Sequence, residues 1–88
     1  IVNNNIDNLN IYPNPNSGLF TLEFESNYNQ DIFIKLFDEV GKSIYNKDIN
    51  NFKGQYLKTI DVQGLKPGVY YIQLAAENKI LSQKIVIK

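Results

Sequence analysis

Alternating apolar and polar residues divide the chain into seven short segments of predicted β-strand. The clearest covers residues 19–25, where Phe20, Leu22 and Phe24 share one face and polar residues the other. A period of two is typical of a half-buried strand. The other predicted strands cover residues 9–12, 31–38, 43–49, 55–62, 69–76 and 80–87. Because no segment has the 3.6-residue period of an amphipathic helix, the pattern predicts an all-β protein.

Turn-forming residues separate these segments. Residues 13–18 contain two prolines, which lack a backbone donor, and end in Gly18. Residues 39–42 form a compact predicted turn, so the third and fourth strands should pair as an antiparallel hairpin. Residues 63–68 are again rich in turn formers. Seven short strands joined in this way predict a seven-strand antiparallel immunoglobulin-like β-sandwich.

The apolar faces of the strands predict one hydrophobic core. Its expected members are Phe20, Leu22, Phe24, Ile32, Ile34, Leu36, Tyr70, Ile72 and Leu74. Residues 1–8 are rich in asparagine, which favours turns over strand pairing, so we expect them to be a linker. The predicted domain therefore covers residues 9–88. Since the chain begins at Ile1 and contains no methionine, we expect it to be part of a longer protein.

Charge and composition exclude several classes of function. Nine lysines balance nine carboxylates, and the chain has no arginine, histidine or cysteine. Nucleic-acid binding is disfavoured without arginine or net positive charge, and a disulfide framework or thiolate metal site is impossible without cysteine. No apolar run reaches the roughly 18 residues of a membrane-spanning helix, and no signal peptide opens the chain. We therefore expect no membrane insertion.

Candidate catalytic and metal-binding groups are sparse. Nucleophilic catalysis usually needs a base beside the nucleophile, and the serines have no imidazole partner. Glu23 and Glu25 are expected on a solvated strand face, whereas the Asp38 side chain, beside Glu39, should cap backbone amides of a turn. Oxygen ligands for calcium exist at Asn3, Asn4, Asn5, Asp7 and Asn8, but one carboxylate gives poor affinity. We expect neither catalysis nor a cofactor.

Four tyrosines leave a binding function open. Tyr28, Tyr45, Tyr56 and Tyr71 have apolar rings with polar tips and are candidates for a sugar-stacking platform. The alternative function is therefore a carbohydrate-binding β-sandwich module of a secreted hydrolase. The competing explanation for these residues is ordinary packing along strand edges.

Four stretches, taken in order, form a more specific pattern. They are Tyr12-Pro13-Asn14-Pro15 with Gly18, Asp38 with Gly41-Lys42, Gly64-Leu65-Lys66-Pro67-Gly68-Val69-Tyr70, and the terminal Lys84-Ile85-Val86-Ile87-Lys88. Together they closely resemble the type A C-terminal sorting domains of the type IX secretion system. The resemblance covers residues 9–88.

The resemblance implies an immunoglobulin-like domain at the end of a passenger protein of a Bacteroidota-type bacterium. The passenger would first reach the periplasm. There the domain would be recognised by the outer-membrane translocon and its shuttle components. A sortase-like peptidase would then remove the domain, near or before residues 1–8, and leave the passenger at the cell surface or outside the cell.

Two kinds of recognition residue are expected from this resemblance. The first three stretches, called the motif turns below, are expected to shape the surface that is read. The fourth, residues 84–88, is expected to contact the partner by strand addition or through its lysines. Lysines on an edge strand also prevent unwanted strand pairing, so this second explanation remains open.

Overall fold

The computed structural model describes residues 6–77 and 79–88 and contains five strands. These are β1 (Ile6–Tyr12), β2 (Leu19–Asp38), β3 (Ser43–Asp61), β4 (Gly68–Ala75) and β5 (Ile80–Ile87). They form one antiparallel sheet in the order β1-β2-β4-β5, with β3 paired to β2. The all-β prediction is confirmed. In the described part of the chain, no helix is long and apolar enough to cross a membrane.

The predicted number of strands is wrong, because two pairs of predicted strands are continuous. β2 has 20 residues and β3 has 19, and each contains two of the predicted segments. Register shifts beside Ser26, Gln30 and Ile32 bend the paired strands without ending them. The two-sheet immunoglobulin-like sandwich is not confirmed, since the strands form one sheet curled into a half-barrel.

The curl arises from the way β2 shares its edges. β3 pairs with β2 over nearly its whole length. β1 pairs with residues 21–26 of β2 and β4 pairs with residues 33–38. The two halves of β2 thereby direct their apolar faces into one core. The nine predicted core residues are all buried, and Ile6, Ile11, Ile60, Ile85 and Ile87 complete the set of buried apolar residues in the described part of the chain.

The boundary predicted for the linker needs a correction. β1 begins at Ile6, and the Ile6 side chain is only 1% exposed. Residues 6–8 therefore belong to the sheet. Asn8 has a φ of 59° beside a shift in register, a conformation that asparagine tolerates better than most residues. The asparagine-rich composition therefore led to the prediction of a linker where a bulged strand begins at the buried Ile6. Residues 1–5 of the predicted linker lie outside the described part of the chain.

Candidate recognition surface

The turn between β2 and β3 is organised by the Asp38 side chain. Its Oδ1 accepts hydrogen bonds from the amides of Val40 at 3.0 Å and Lys42 at 2.9 Å. The Gly41 amide donates to the Asp38 carbonyl at 3.0 Å, and Gly41 has a φ of 88°. The predicted hairpin and the predicted capping role of Asp38 are confirmed.

The turn before β4 is closed by Tyr70. The buried Tyr70 side chain donates a 2.6 Å hydrogen bond from its hydroxyl to the Lys66 carbonyl, four residues earlier. Tyr70 also lies opposite Asp38 in the sheet. The second and third motif turns are therefore neighbours, although a long stretch of chain separates them.

Two open pockets lie where these turns meet. One has a volume of about 210 Å³ and the other about 310 Å³, and both are lined by Asp38 and Tyr70. Other motif residues in their walls are Lys42, Gly64, Leu65, Lys66, Pro67, Gly68 and Val69. The two turns thus form one continuous, indented surface.

The first motif turn is held by Asn16 and Gly18. Asn16 Nδ2 donates to the Pro13 carbonyl at 3.0 Å, and Asn16 Oδ1 accepts from the Gly18 backbone amide at 2.8 Å. The Tyr12–Pro13 and Asn14–Pro15 peptide bonds are both cis. Gly18 has a φ of 101°, and a Cβ there would lie 2.9 Å from the Val62 carbonyl oxygen. Only glycine fits this contact without strain.

Asn14 and Asn16 hydrogen-bond to the edge of β5, an arrangement called the asparagine clamp below. Asn14 Nδ2 donates to the Lys84 carbonyl at 3.0 Å, and Asn14 Oδ1 accepts from the Val86 amide at 3.0 Å. The backbone amide of Asn16 donates to the Val86 carbonyl at 3.0 Å. The backbone amide of Lys88 donates to the backbone carbonyl of Asn16 at 2.9 Å. The loop takes the place of a neighbouring strand.

The clamp limits how residues 84–88 can be recognised. Strand addition to this half of the β5 edge would require the clamp to open, because its backbone groups are already bonded. Ile85 and Ile87 point into the core and are 0% and 2% exposed. Lys84 and Lys88 are exposed. Their side chains are the accessible parts of the predicted recognition stretch, and their contact with a partner remains a prediction.

All four motif stretches meet at one end of the molecule, called the recognition end below. Gly68 pairs with Ile87, which in turn forms a bridge with Asn16. The Val62 amide donates to the Gly18 carbonyl at 2.7 Å, which joins the first turn to the chain entering the third. The sequence predicted these stretches separately, and the fold brings them together.

The carboxylates on the first half of β2 have structural partners. Glu25 Oε1 accepts from Asn8 Nδ2 at 3.0 Å, and Glu23 Oε1 accepts from Asn10 Nδ2 at 3.1 Å. Residues 6–77 and 79–88 contain no cluster of three or more potential metal-ligating His, Cys, Asp or Glu side chains. The candidate calcium ligands Asn3, Asn4 and Asn5 fall outside the described residues.

Of the four tyrosines proposed for sugar stacking, Tyr28 is exposed and the other three do not share one surface. Tyr56 stacks on the core residue Phe24 with 4.8 Å between ring centroids, and Tyr45 also packs against the core. Burial of the Tyr56 phenol raises its pKa, and the charge of Tyr45 is a second, smaller cause of the same shift. Tyr71 stacks on Phe37 at 5.8 Å, on the opposite side of the sheet. This arrangement gives no support to the carbohydrate-binding alternative.

Comparison with known proteins identifies the family. No curated protein matches the chain. The family model described as a secretion system C-terminal sorting domain matches residues 10–88. That match spans the asparagine clamp, the motif turns and the strand that the clamp holds. The chain therefore belongs to the family of type IX secretion system C-terminal sorting domains.

Proposed function

We propose that this chain is the sorting signal of a larger passenger protein, which it directs through the type IX secretion system. The family match over residues 10–88 carries this proposal. A sorting domain of this family is expected to bind the secretion machinery and to send its passenger toward the cell surface or the extracellular space. The domain acts by recognition rather than by catalysis, in keeping with the absence of histidine and cysteine from the sequence.

The recognition end supplies a rigid surface for this purpose. The clamp fixes the backbone of the last strand, so the exposed Lys84 and Lys88 side chains project from defined positions. Fixing a binding surface before the partner arrives lowers the entropy lost on association. In our proposal the folded end of the domain is read, rather than a flexible terminal peptide.

The route and later processing follow from the same proposal. The passenger crosses the periplasm, where shuttle components and the outer-membrane translocon bind the domain. A sortase-like peptidase then cuts the chain before β1, because pairing with β2 begins at Ile6 and a protease needs extended backbone outside a sheet. The cleaved passenger is anchored at the surface of a Bacteroidota-type cell or released.

The test is a secretion assay of a periplasm-directed fluorescent protein fused to residues 1–88. Deleting residues 84–88 would remove buried Ile85 and Ile87 and the partners of the clamp. The informative variant is therefore Lys84→Glu with Lys88→Glu, which keeps the core. Lys47→Glu with Lys58→Glu is the matched control, since these two exposed lysines lie on β3.

The expected result is export of the wild-type fusion in a host with the type IX machinery and retention in a strain without it. The terminal double variant should be exported poorly while the β3 control is exported normally. Equal export of both variants would keep the sorting function and contradict recognition through the terminal lysines. Retention of a correctly folded wild-type fusion in both strains would overturn the sorting function itself.

A further inference from the structure

The second half of β2, together with β4 and β5, presents a sheet surface that faces away from the core. Its members alternate along the strands with the buried residues Ile34, Leu36, Ile72, Leu74 and Ile85. We call this surface the outer face, and it consists of Phe33, Lys35, Phe37, Val69, Tyr71, Gln73, Ala75, Ile80, Ser82, Lys84 and Val86.

The composition of the outer face is unusual for a solvated sheet surface. Seven of its eleven side chains are apolar or aromatic, and its charged members are Lys35 and Lys84. Phe33 is 37% exposed and Ile80 is 63% exposed. Asp48 of β3 lies opposite Phe33 at the flank of this surface. Within the outer face itself there are two positive charges and no negative charge.

The corresponding surface on the first half of β2 has the opposite character. There Glu23 and Glu25 face outward beside Asn8 and Asn10, which hydrogen-bond to them. This is the ordinary polar exterior of an antiparallel sheet. The apolar character of the outer face is therefore specific to one half of the molecule.

Three side chains at the centre of the outer face are ordered by one another. The Phe37 and Tyr71 rings stack with 5.8 Å between centroids, and Lys35 Nζ lies 5.3 Å from the Phe37 ring centroid. Stacked rings lose little side-chain freedom on binding. Aromatic residues are also enriched in protein–protein interfaces, and exposed apolar patches of a few hundred Å² are often functional.

We propose that the outer face docks a protein partner whose contact surface places carboxylates among apolar side chains. This inference rests on the proposed function and assigns the partner to the secretion machinery. Charge complementarity favours an acidic partner, because Lys35 and Lys84 are the charged members of the face and the carboxylate of Asp48 lies at its flank. Apolar residues outnumber the lysines, so a protein surface fits better than a polyanionic glycan or headgroup layer.

The size of the face sets the strength of the complex. Three strands about 4.8 Å apart, each with three or four outward residues, cover roughly 300 Å². A standard stable interface covers about 800 Å² per partner. The outer face alone therefore supports a transient complex. A sorting signal that passes from one component of the machinery to the next requires a complex of this kind.

The test uses the fluorescent fusion with two double variants of equal chemistry. Phe33→Thr with Lys35→Glu alters the outer face, whereas Leu57→Thr with Lys58→Glu alters exposed residues of β3. Both variants remove one apolar side chain and reverse one charge. The first should reduce export by about tenfold, equivalent to about 1.4 kcal/mol of binding, and the second should leave export unchanged. Circular dichroism of the purified 1–88 variants without the fluorescent passenger verifies that both remain folded.

Each other outcome has a defined meaning. Equal export of folded variants, with normal wild-type export, would overturn the outer-face proposal and keep the sorting function. Failure of wild-type export would instead contradict the sorting function. A photoreactive phenylalanine analogue at position 33 identifies the partner in the exporting strain. Crosslinks to a component of the machinery support the proposal, whereas crosslinks to lipid or glycan alone would contradict a protein partner.

Discussion

The side chain of Asn14 pairs with both a carbonyl and an amide on the edge of β5. Its Nδ2 donates to the Lys84 carbonyl and its Oδ1 accepts from the Val86 amide, each at 3.0 Å. A primary amide has the same donor and acceptor groups as a peptide unit, so one side chain can continue the hydrogen-bonding pattern of a sheet. Asn14 thereby closes an edge that would otherwise be open to another strand.

Replacing Asn14 by alanine should lower the free energy of unfolding by about 1–2 kcal/mol, because two hydrogen bonds are lost at a partly solvated edge. Urea denaturation measures the change. Asn50→Ala, at an exposed position of β3, is the control and should have little effect. Hydrogen exchange at the Val86 amide should accelerate only in the Asn14 variant, and unchanged protection there would contradict the clamp.

Replacing Gly18 by alanine should destabilise the fold by about 3 kcal/mol, through a positive φ and a steric clash. The new Cβ would lie 2.9 Å from the Val62 carbonyl oxygen and 3.0 Å from Gln63 backbone atoms. Gly54→Ala separates the two causes, because Gly54 has a φ of 109° with open space around its Cβ position. It should cost about 1–2 kcal/mol. Equal losses in denaturation experiments would contradict the close contact at Gly18.

Replacing Gln30 by leucine should raise the free energy of unfolding by about 1 kcal/mol. Gln30 is 3% exposed, and its Oε1 has no hydrogen-bond partner among residues 6–77 and 79–88. Its Nε2 donates to Ser26 Oγ at 2.9 Å, but that hydroxyl keeps its 2.7 Å bond to the Tyr28 carbonyl. Gln55→Leu, at an exposed site, is the control. A clear loss of stability in Gln30→Leu would show that the polar side chain is needed in the bulge.

Alkaline pH should destabilise the domain partly through Tyr56. Burial raises the pKa of its phenol above the ordinary value of 10.0, with the charge of Tyr45 as a second cause. The unfolded chain therefore releases this proton at a lower pH than the folded chain does. The contribution to stability is complete below pH 10 and is lost as pH rises through the folded pKa.

Comparison of wild type with Tyr56→Phe measures this contribution. The urea midpoint of the wild type should fall further than that of the variant between about pH 8 and about pH 11. The variant retains an aromatic ring against Phe24, so packing is preserved. Parallel loss in both proteins would contradict an effect of Tyr56 ionisation.

Alternation along the strands predicted nine of the fourteen buried apolar residues among those described, because successive side chains of a strand point to opposite faces of the sheet. The same rule could not predict that residues 26–30 and 50–54 continue the strands. A bulge and a turn have similar composition, and the difference lies in the partner strand. Ile6 was missed for a related reason, since asparagine neighbours made a bulged strand resemble a linker.

The motif turns and the last strand were predicted from the sequence, but their contact was not. Asn14 and Lys84 are 70 residues apart, and no local pattern indicates which edge an asparagine will bond. Part of the outer face can be read from residues 31–38, where Phe33 and Phe37 alternate with the buried Ile32, Ile34 and Leu36.

The asparagine clamp also makes the order of synthesis matter. Residues 14–16 leave the ribosome long before residues 84–88, and until then the loop has no strand to bond. Residues 84–88 also contain Ile85 and Ile87, which are buried in the core. Contacts between distant parts of a chain form late and cooperatively. A domain that lacks these residues cannot assemble the recognition end, so under the proposed function it could not be recognised for export.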